Sequence, residues 1–473
     1  MIEVGRNSII IRDVDFESDE YQKFFNSFSI YDPIIHKRTT NVITIIDKDI
    51  YVPASIGAEY VHYFFPEKKV NINYATTAKS SQMKYEMINR PKNNLQSEAL
   101  VFLSRMKNDY NKRERFLSLA TGTGKTFVTI SLLASFQTKA MIVVDTAELA
   151  TQWKREFLKH STVDPDRIQI LSGRESVNDS IQNPQKYDIY IAMHKTLWML
   201  LEEDSNSVNL LMNKLKIGIR VFDEAHQNFK NICKINSLSN VEYTIFLTAT
   251  PSRSNFRDDT IYGRVFGRVP FYNGESDSHY INIILYKFNS MPNETDKLKV
   301  RTQHGLSGVK WGNYILEESY QQYIECLTDI FENLKLMENV KKIGIVLPIN
   351  NLISKTKEDL DQFLDIDCGV FIGSMKEEKR EEAKSKVVFI TNDKMFDKAI
   401  DIPDLEVLIN FCPFSSDVKL DQMVGRIRYK SGKSHVFIDV TDVGFRECKS
   451  QLSARKRYYK NSNKVKAIKE MKL

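Results

Sequence analysis

From about residue 87 onward, short apolar runs alternate with stretches whose apolar residues recur at helical spacing. The runs lie at 116–120, 140–145, 189–193, 219–223 and 245–248, and each reads as a buried strand. Strand and helix in alternation predict a parallel α/β sheet. A polar stretch near 289–312 interrupts the pattern. A second block follows, with strands expected near 343–347, 369–372, 387–391, 407–411 and 435–440. Residues 1–86 follow a different rhythm, with strands expected at 8–12 and 42–46. Ser18 opens a short helix over 19–25, and Asp47-Lys48-Asp49 turns the chain into Ile50-Tyr51-Val52. The expectation is an α/β chain with two parallel-sheet lobes behind a small α+β accessory domain. Its divisions fall at 1–86 (accessory), 87–285 (lobe one), 286–318 (linker) and 319–473 (lobe two with a basic tail).

Composition narrows the class. At 473 residues the chain exceeds one compact domain, and its 42% apolar content is enough for real cores. Five scattered cysteines without a CxxC pair fit reduced thiols and supply no zinc-site spacing. No apolar run approaches the roughly 18 residues of a membrane span, and the N-terminus lacks a signal-peptide pattern, so a soluble, cytoplasmic protein is expected. The net charge of +6 is uneven. Residues 445–473 carry ten Lys/Arg and two Asp/Glu, a balance of +8, which leaves 6 − 8 = −2 for the rest. A polyanionic partner near the tail fits that bias, and so does a solvated helix face.

Chemistry enters after the strand that ends at Ala120. The sequence Thr121-Gly122-Thr123-Gly124-Lys125-Thr126 leads into an apolar helix. Such a loop turns backbone N–H groups toward an anion, glycines permit close approach, and the helix N-terminus adds partial positive charge. Lys125 would contact the β- and γ-phosphates of ATP, and the Thr126 hydroxyl would ligate Mg²⁺. Leu119 stands where the strict pattern has glycine. A chance glycine-rich turn is the competing reading, and the order strand, loop, GKT and helix disfavours it.

A second strand delivers Asp223-Glu224-Ala225-His226 to the sheet's lip. Asp223 can hold Mg²⁺ and Glu224 can polarise the attacking water. Adjacent acids alone would read as helix caps. Paired with the phosphate loop, they point to Mg-ATP hydrolysis.

These two motifs together resemble those of superfamily-two DEAH-type DNA helicases, and further segments follow in that family's order. Gln96 resembles the glutamine that reads adenine. Thr146 to Trp153, including Gln152, is similar to a strand-contacting motif, with Asp145 where the family often has proline. His194 and Lys195 resemble a further DNA-contacting segment. Thr248-Ala249-Thr250-Pro251 matches the motif that couples hydrolysis to movement, together with His226 and Asp401. Gly373 and Thr391 sit at expected backbone-contacting positions of lobe two. Ala399 to Pro403 resembles another motif, with alanine in place of glycine. Gln422-Met423-Val424-Gly425-Arg426 is similar to the arginine-finger motif, with Arg426 the candidate finger. Tyr429 replaces the usual second arginine, and Arg428 lies beside it. The resemblance covers about residues 90–440.

Within the family, the short lobes, the small N-terminal unit and the ending 455–460 resemble UvsW-type branch-migration helicases of tailed phages; XPB and RecG are more distant. The resemblance implies two RecA-like lobes, ATP and Mg²⁺ as cofactors, and a monomer acting on DNA, branched or forked, in replication, recombination or repair, in the cytoplasm of a bacterial host. Residues 1–86 would select the branch, with Lys37-Arg38 and Lys68-Lys69 as phosphate contacts, although such pairs are more often plain solvated surface. A double-strand translocase that never separates strands and an RNA helicase remain open as alternatives.

Overall fold

The computed structural model describes the chain apart from residues 33–35, 41, 75–82, 110–112, 121, 250–255, 275–278, 304, 336–339, 341, 364–365, 374, 376, 398–401, 403, 428–434 and 473. Thr121, Thr250, Pro251, Ala399, Asp401, Pro403, Arg428 and Tyr429 therefore lie outside the described residues. The chain divides into two units, 1–275 and 276–473.

In the first unit, seven strands form one parallel sheet in the order Ile168–Leu171, Ile189–Met193, Ala140–Val144, Ile219–Phe222, Tyr243–Thr248, Glu114–Leu119, Phe271–Gly274. The central strands are buried throughout, which is why their sequences run apolar instead of alternating. The three adjacent strands 219–222, 243–248 and 114–119 end side by side. Their carboxyl ends carry Asp223, Thr248 and the phosphate loop respectively, which is where ligands bind in such sheets.

The N-terminal segment forms a second sheet in the order Thr44–Ile46, Asp49–Pro53, Ser8–Ile11, Ile2–Val4, Val70–Ile72, antiparallel except for the last pair. Its helix Asp19–Ser27 starts where Ser18 accepts from Tyr21 N. The expected boundary at residue 86 does not divide the core. Ile9, Ile11, Phe24 and Phe28 belong to the same apolar cluster as Phe116, Phe222, Phe229 and Phe266. A polar knot joins the two sheets within that cluster. Buried Asn7 accepts from Val241 N at 2.8 Å and donates to Thr244 Oγ1 at 3.1 Å and Glu114 Oε1 at 3.5 Å. Asn236 Nδ2 also donates to Glu114, and Arg220 donates to Asn236 and Ser239. Burial pushes the Glu114 carboxyl up and the Arg220 guanidinium down to about 9.

The second unit repeats the parallel design with Cys368–Phe371, Val388–Asn392, Ile343–Leu347, Val407–Asn410, Val436–Asp442, Ile281–Phe288 and Val465–Lys472. Strand Ile281–Phe288, not among the expected strands and crossed by the expected division at 285/286, lies inside this sheet. The polar stretch after it holds helices Glu294–Lys299 and Gly308–Glu318 of the same unit. The basic tail is likewise structural. Helix Arg446–Asn461 buries Arg455, whose Nε donates to Asp439 Oδ2 at 2.8 Å and Nη2 to Thr441 Oγ1 at 3.0 Å. Lys464 pairs with Asp421 and Lys456 with Glu470. Part of the positive charge that the sequence concentrates there is thus spent on internal pairs.

Candidate active site

The phosphate loop leaves the strand Glu114–Leu119 and enters helix Lys125–Phe136 through two left-handed glycines, Gly122 at φ 82° and Gly124 at φ 101°. Only glycine adopts that backbone at low cost. At Gly124 space is a second reason, since a Cβ there would lie 2.4 Å from Gln96 Nε2. Thr123 Oγ1 donates to Ala120 O at 2.7 Å and closes the turn. Gln96 braces the loop from outside. Its Nε2 donates to Thr123 O at 2.9 Å and its Oε1 accepts from Lys92 N at 2.8 Å. Its helix, Asn94–Ser104, is capped by Asn93.

Lys125 opens the helix and Thr126 is its second residue. Lys125 Nζ lies 3.7 Å from Glu224 Oε1. Glu224 itself has φ 47°, a left-handed conformation that costs a non-glycine residue on the order of 1–3 kcal/mol and gathers at functional sites. Asp223 Oδ1 accepts from Glu224 N at 2.9 Å, and Asp223 Oδ2 accepts from Trp153 Nε1 at 2.8 Å. Burial and the neighbouring Glu224 charge push the Asp223 carboxyl up to about 6, while Lys125 and the two hydrogen bonds pull it down. His226 Nδ1 lies 2.8 Å from Thr248 Oγ1 and 3.4 Å from Glu224 Oε2. A continuous side-chain path therefore runs from Lys125 through Glu224 and His226 to Thr248.

The donor set suits a hard divalent cation. Asp223 keeps acceptor capacity on both oxygens beyond its two hydrogen bonds, and Thr126 offers a hydroxyl. What such an arrangement can do is hold a phosphate tail, place a carboxylate beside its terminal group and report the event to the next strand.

Other expected residues fall elsewhere. Thr146 caps helix Ala147–His160 by accepting from Leu149 N at 3.3 Å, and Gln152 lies half-buried on that helix. Lys195 is exposed, but His194 is buried, stacked on Phe222, and its pKa falls to about 4 through burial. His194 is thus a core residue and does not face a strand. Thr391 is fully buried, and its hydroxyl donates to Phe371 O at 2.7 Å, so it braces two strands of the sheet. Gly373 follows strand Cys368–Phe371 and is exposed. Lys68 donates to the Arg12 and Asp13 carbonyls, which removes it as a ready phosphate contact. Gln422 sits on helix Asp417–Val424, capped by Ser416, and Arg426 follows that helix, nearly buried. Sequence reading missed Trp153 as the donor that holds Asp223. The only signal for it was an indole in the segment after Thr146.

Comparison with known proteins agrees with this geometry. The family model described as "Type III restriction enzyme, res subunit" matches residues 78–253, which include the phosphate loop and Asp223 to Thr248. The chain is 24% identical over 377 residues to the transcript termination protein A18 of Yaba-like disease virus, covering 74% of this chain and 73% of that one. It is also 24% identical over 381 residues to the DNA 3'-5' translocase XPB2 of Sulfurisphaera tokodaii, covering 73% and 81%. Among solved structures, S. cerevisiae Dbp5 bound to RNA and ADP BeF3 superposes with a TM-score of 0.54 at 15% identity, covering 80% of this chain and 89% of that one. At that identity the likeness establishes the fold: both units are RecA-like.

Proposed function

We propose, on the premise that the chain belongs to helicase superfamily two, that it spends ATP hydrolysis on moving along DNA and remodelling branched DNA. The observation that carries this reading is the path Lys125–Glu224–His226–Thr248, which ties the phosphate pocket to a neighbouring strand end. In the proposed cycle Lys125 takes the charge of the γ-phosphate. Glu224 orients a water and accepts its proton as oxygen attacks phosphorus, with ADP as leaving group. Asp223 and Thr126 would hold Mg²⁺, which when bound offsets phosphate charge. Gln96 is proposed to read adenine beside the loop it braces. Gln422 and Arg426 are the second unit's proposed contribution to hydrolysis.

DNA is the favoured track because the chain is similar along most of its length to a DNA translocase. Thr146, Gln152, Lys195 and Gly373 are the proposed backbone contacts. Preference for a branch needs surface outside the motor, and the hairpin Ser29–Asp32 with Lys37–Thr40 offers it, with Tyr31 and Lys37 exposed. The test compares ATP-dependent migration of a four-way junction, unwinding of a fork, displacement of a triplex strand from plain duplex, and unwinding of an RNA duplex. Junction and fork activity is expected. Triplex displacement without strand separation would reduce the protein to a duplex translocase, and activity confined to RNA would overturn the DNA assignment.

A further inference from the structure

We infer that Lys230 and Lys234, clamped on Trp198, form a phosphate-contacting surface on the first unit that extends the DNA track beyond Lys195. This inference rests on the DNA-motor reading and deepens it. Helix Phe229–Ser237, just after the Asp223–His226 segment, carries Lys230 and Lys234 one turn apart. Helix His194–Glu203, after strand Ile189–Met193, carries Lys195 and Trp198, also one turn apart. The Lys234 ammonium stands 4.4 Å and the Lys230 ammonium 5.3 Å from the centroid of the same Trp198 ring.

Two like charges at i and i+4 on a helix repel and weaken it. The indole face attracts each ammonium more strongly than the two repel each other, which holds them together. Among the described residues none of Lys195, Lys230 and Lys234 forms an ion pair. The nearby carboxylate, Glu202, is engaged by Trp198 Nε1 at 2.6 Å. Partial burial, and then Lys230, lower the Lys234 pKa, with Glu202 opposing. If the role were packing alone, one lysine stem over the ring would serve. Two ammoniums held on one ring, neither in an ion pair among the described residues, form a site for a doubly charged or repeating anion. The DNA backbone supplies one charge per phosphate at regular spacing, and Lys195, exposed one turn from Trp198 on its helix, offers a further cation.

The test measures DNA binding by the full chain across a salt series for the wild type, Lys230→Gln/Lys234→Gln and Lys230→Arg/Lys234→Arg. Each phosphate contact contributes about 0.9 to the slope of log K against log salt on duplex DNA, so the glutamine pair should flatten the slope by about 1.8. The arginine pair keeps the charge and the ring contact and should retain the wild-type slope, which separates lost charge from damaged folding. A glutamine pair with the wild-type slope would overturn the surface while leaving the motor reading intact. A wild-type chain with no salt-sensitive DNA binding would overturn both.

Discussion

The indole N–H of Trp153 donates to Asp223 Oδ2 across 2.8 Å, with both side chains buried. The bond crosses from helix Ala147–His160 to the end of strand Ile219–Phe222, so a residue of the helix sets the orientation of the carboxylate. Trp153→Phe keeps most of the bulk and deletes the donor. A buried acceptor stripped of its partner costs about 1–3 kcal/mol. Steady-state kinetics should show kcat/KM for ATP falling on the order of tenfold. An unchanged kcat/KM would mean that the indole merely packs.

Lys125 and Glu224 divide the chemistry, and their variants should separate it. Lys125→Ala is expected to abolish turnover, because the γ-phosphate loses its main cation. Glu224→Gln preserves the shape at φ 47° and should retain binding of a fluorescent nucleotide while phosphate release falls by orders of magnitude. Near-normal turnover in Glu224→Gln would remove it as the base.

His194 makes acid stability testable. Its pKa is depressed to about 4 in the folded chain, against about 6.5 when unfolded. The unfolded chain therefore binds the extra proton first as pH falls. Stability from the neutral ring is complete above pH 6.5 and is lost progressively toward pH 4, by on the order of 3 kcal/mol. His194→Phe should show a shallower loss of melting temperature over that window than the wild type. Parallel curves would place the acid sensitivity elsewhere.

Asn7 joins the N-terminal sheet to the strands that end in the active site. Asn7→Ala leaves Val241 N–H and Glu114 short of buried partners, at about 1–3 kcal/mol. Thermal unfolding should shift down by about 2–4 °C per kcal/mol. A chain beginning at residue 83 uncovers helices Phe229–Ser237 and Phe256–Phe266, which pack against Asp49–Pro53 and Ala54–Ile56, and should aggregate or melt far lower. A shortened chain as stable as the full one would restore the view of residues 1–86 as a detachable domain.

Much of the site is legible in sequence because its elements are local. The loop 121–126 and the acids 223–224 each follow a buried strand, and period and composition mark both strands. What escaped depends on contacts distant in sequence. Nothing near Ile281 says that its strand pairs with 436–442 instead of extending the first sheet. Motif order put His194 and Thr391 on a nucleic-acid face, but burial against Phe222 and Phe371 decides their roles. Tail charge suggested a polyanion partner, whereas Asp439 and Asp421 take up part of it. The shared core across residue 86 was hidden for the same reason, since an apolar face does not reveal which sheet will cover it.

The central claim, that hydrolysis at Lys125 and Glu224 is coupled to nucleic acid, is tested most directly by phosphate release from the full chain with and without DNA. Wild-type turnover is expected to rise severalfold or more on adding single-stranded or forked DNA. In Thr248→Val, which removes the hydroxyl facing His226, basal turnover should persist while the DNA-dependent increment collapses. A wild-type rate indifferent to every DNA and RNA added would contradict the coupling, whatever the ATPase activity itself.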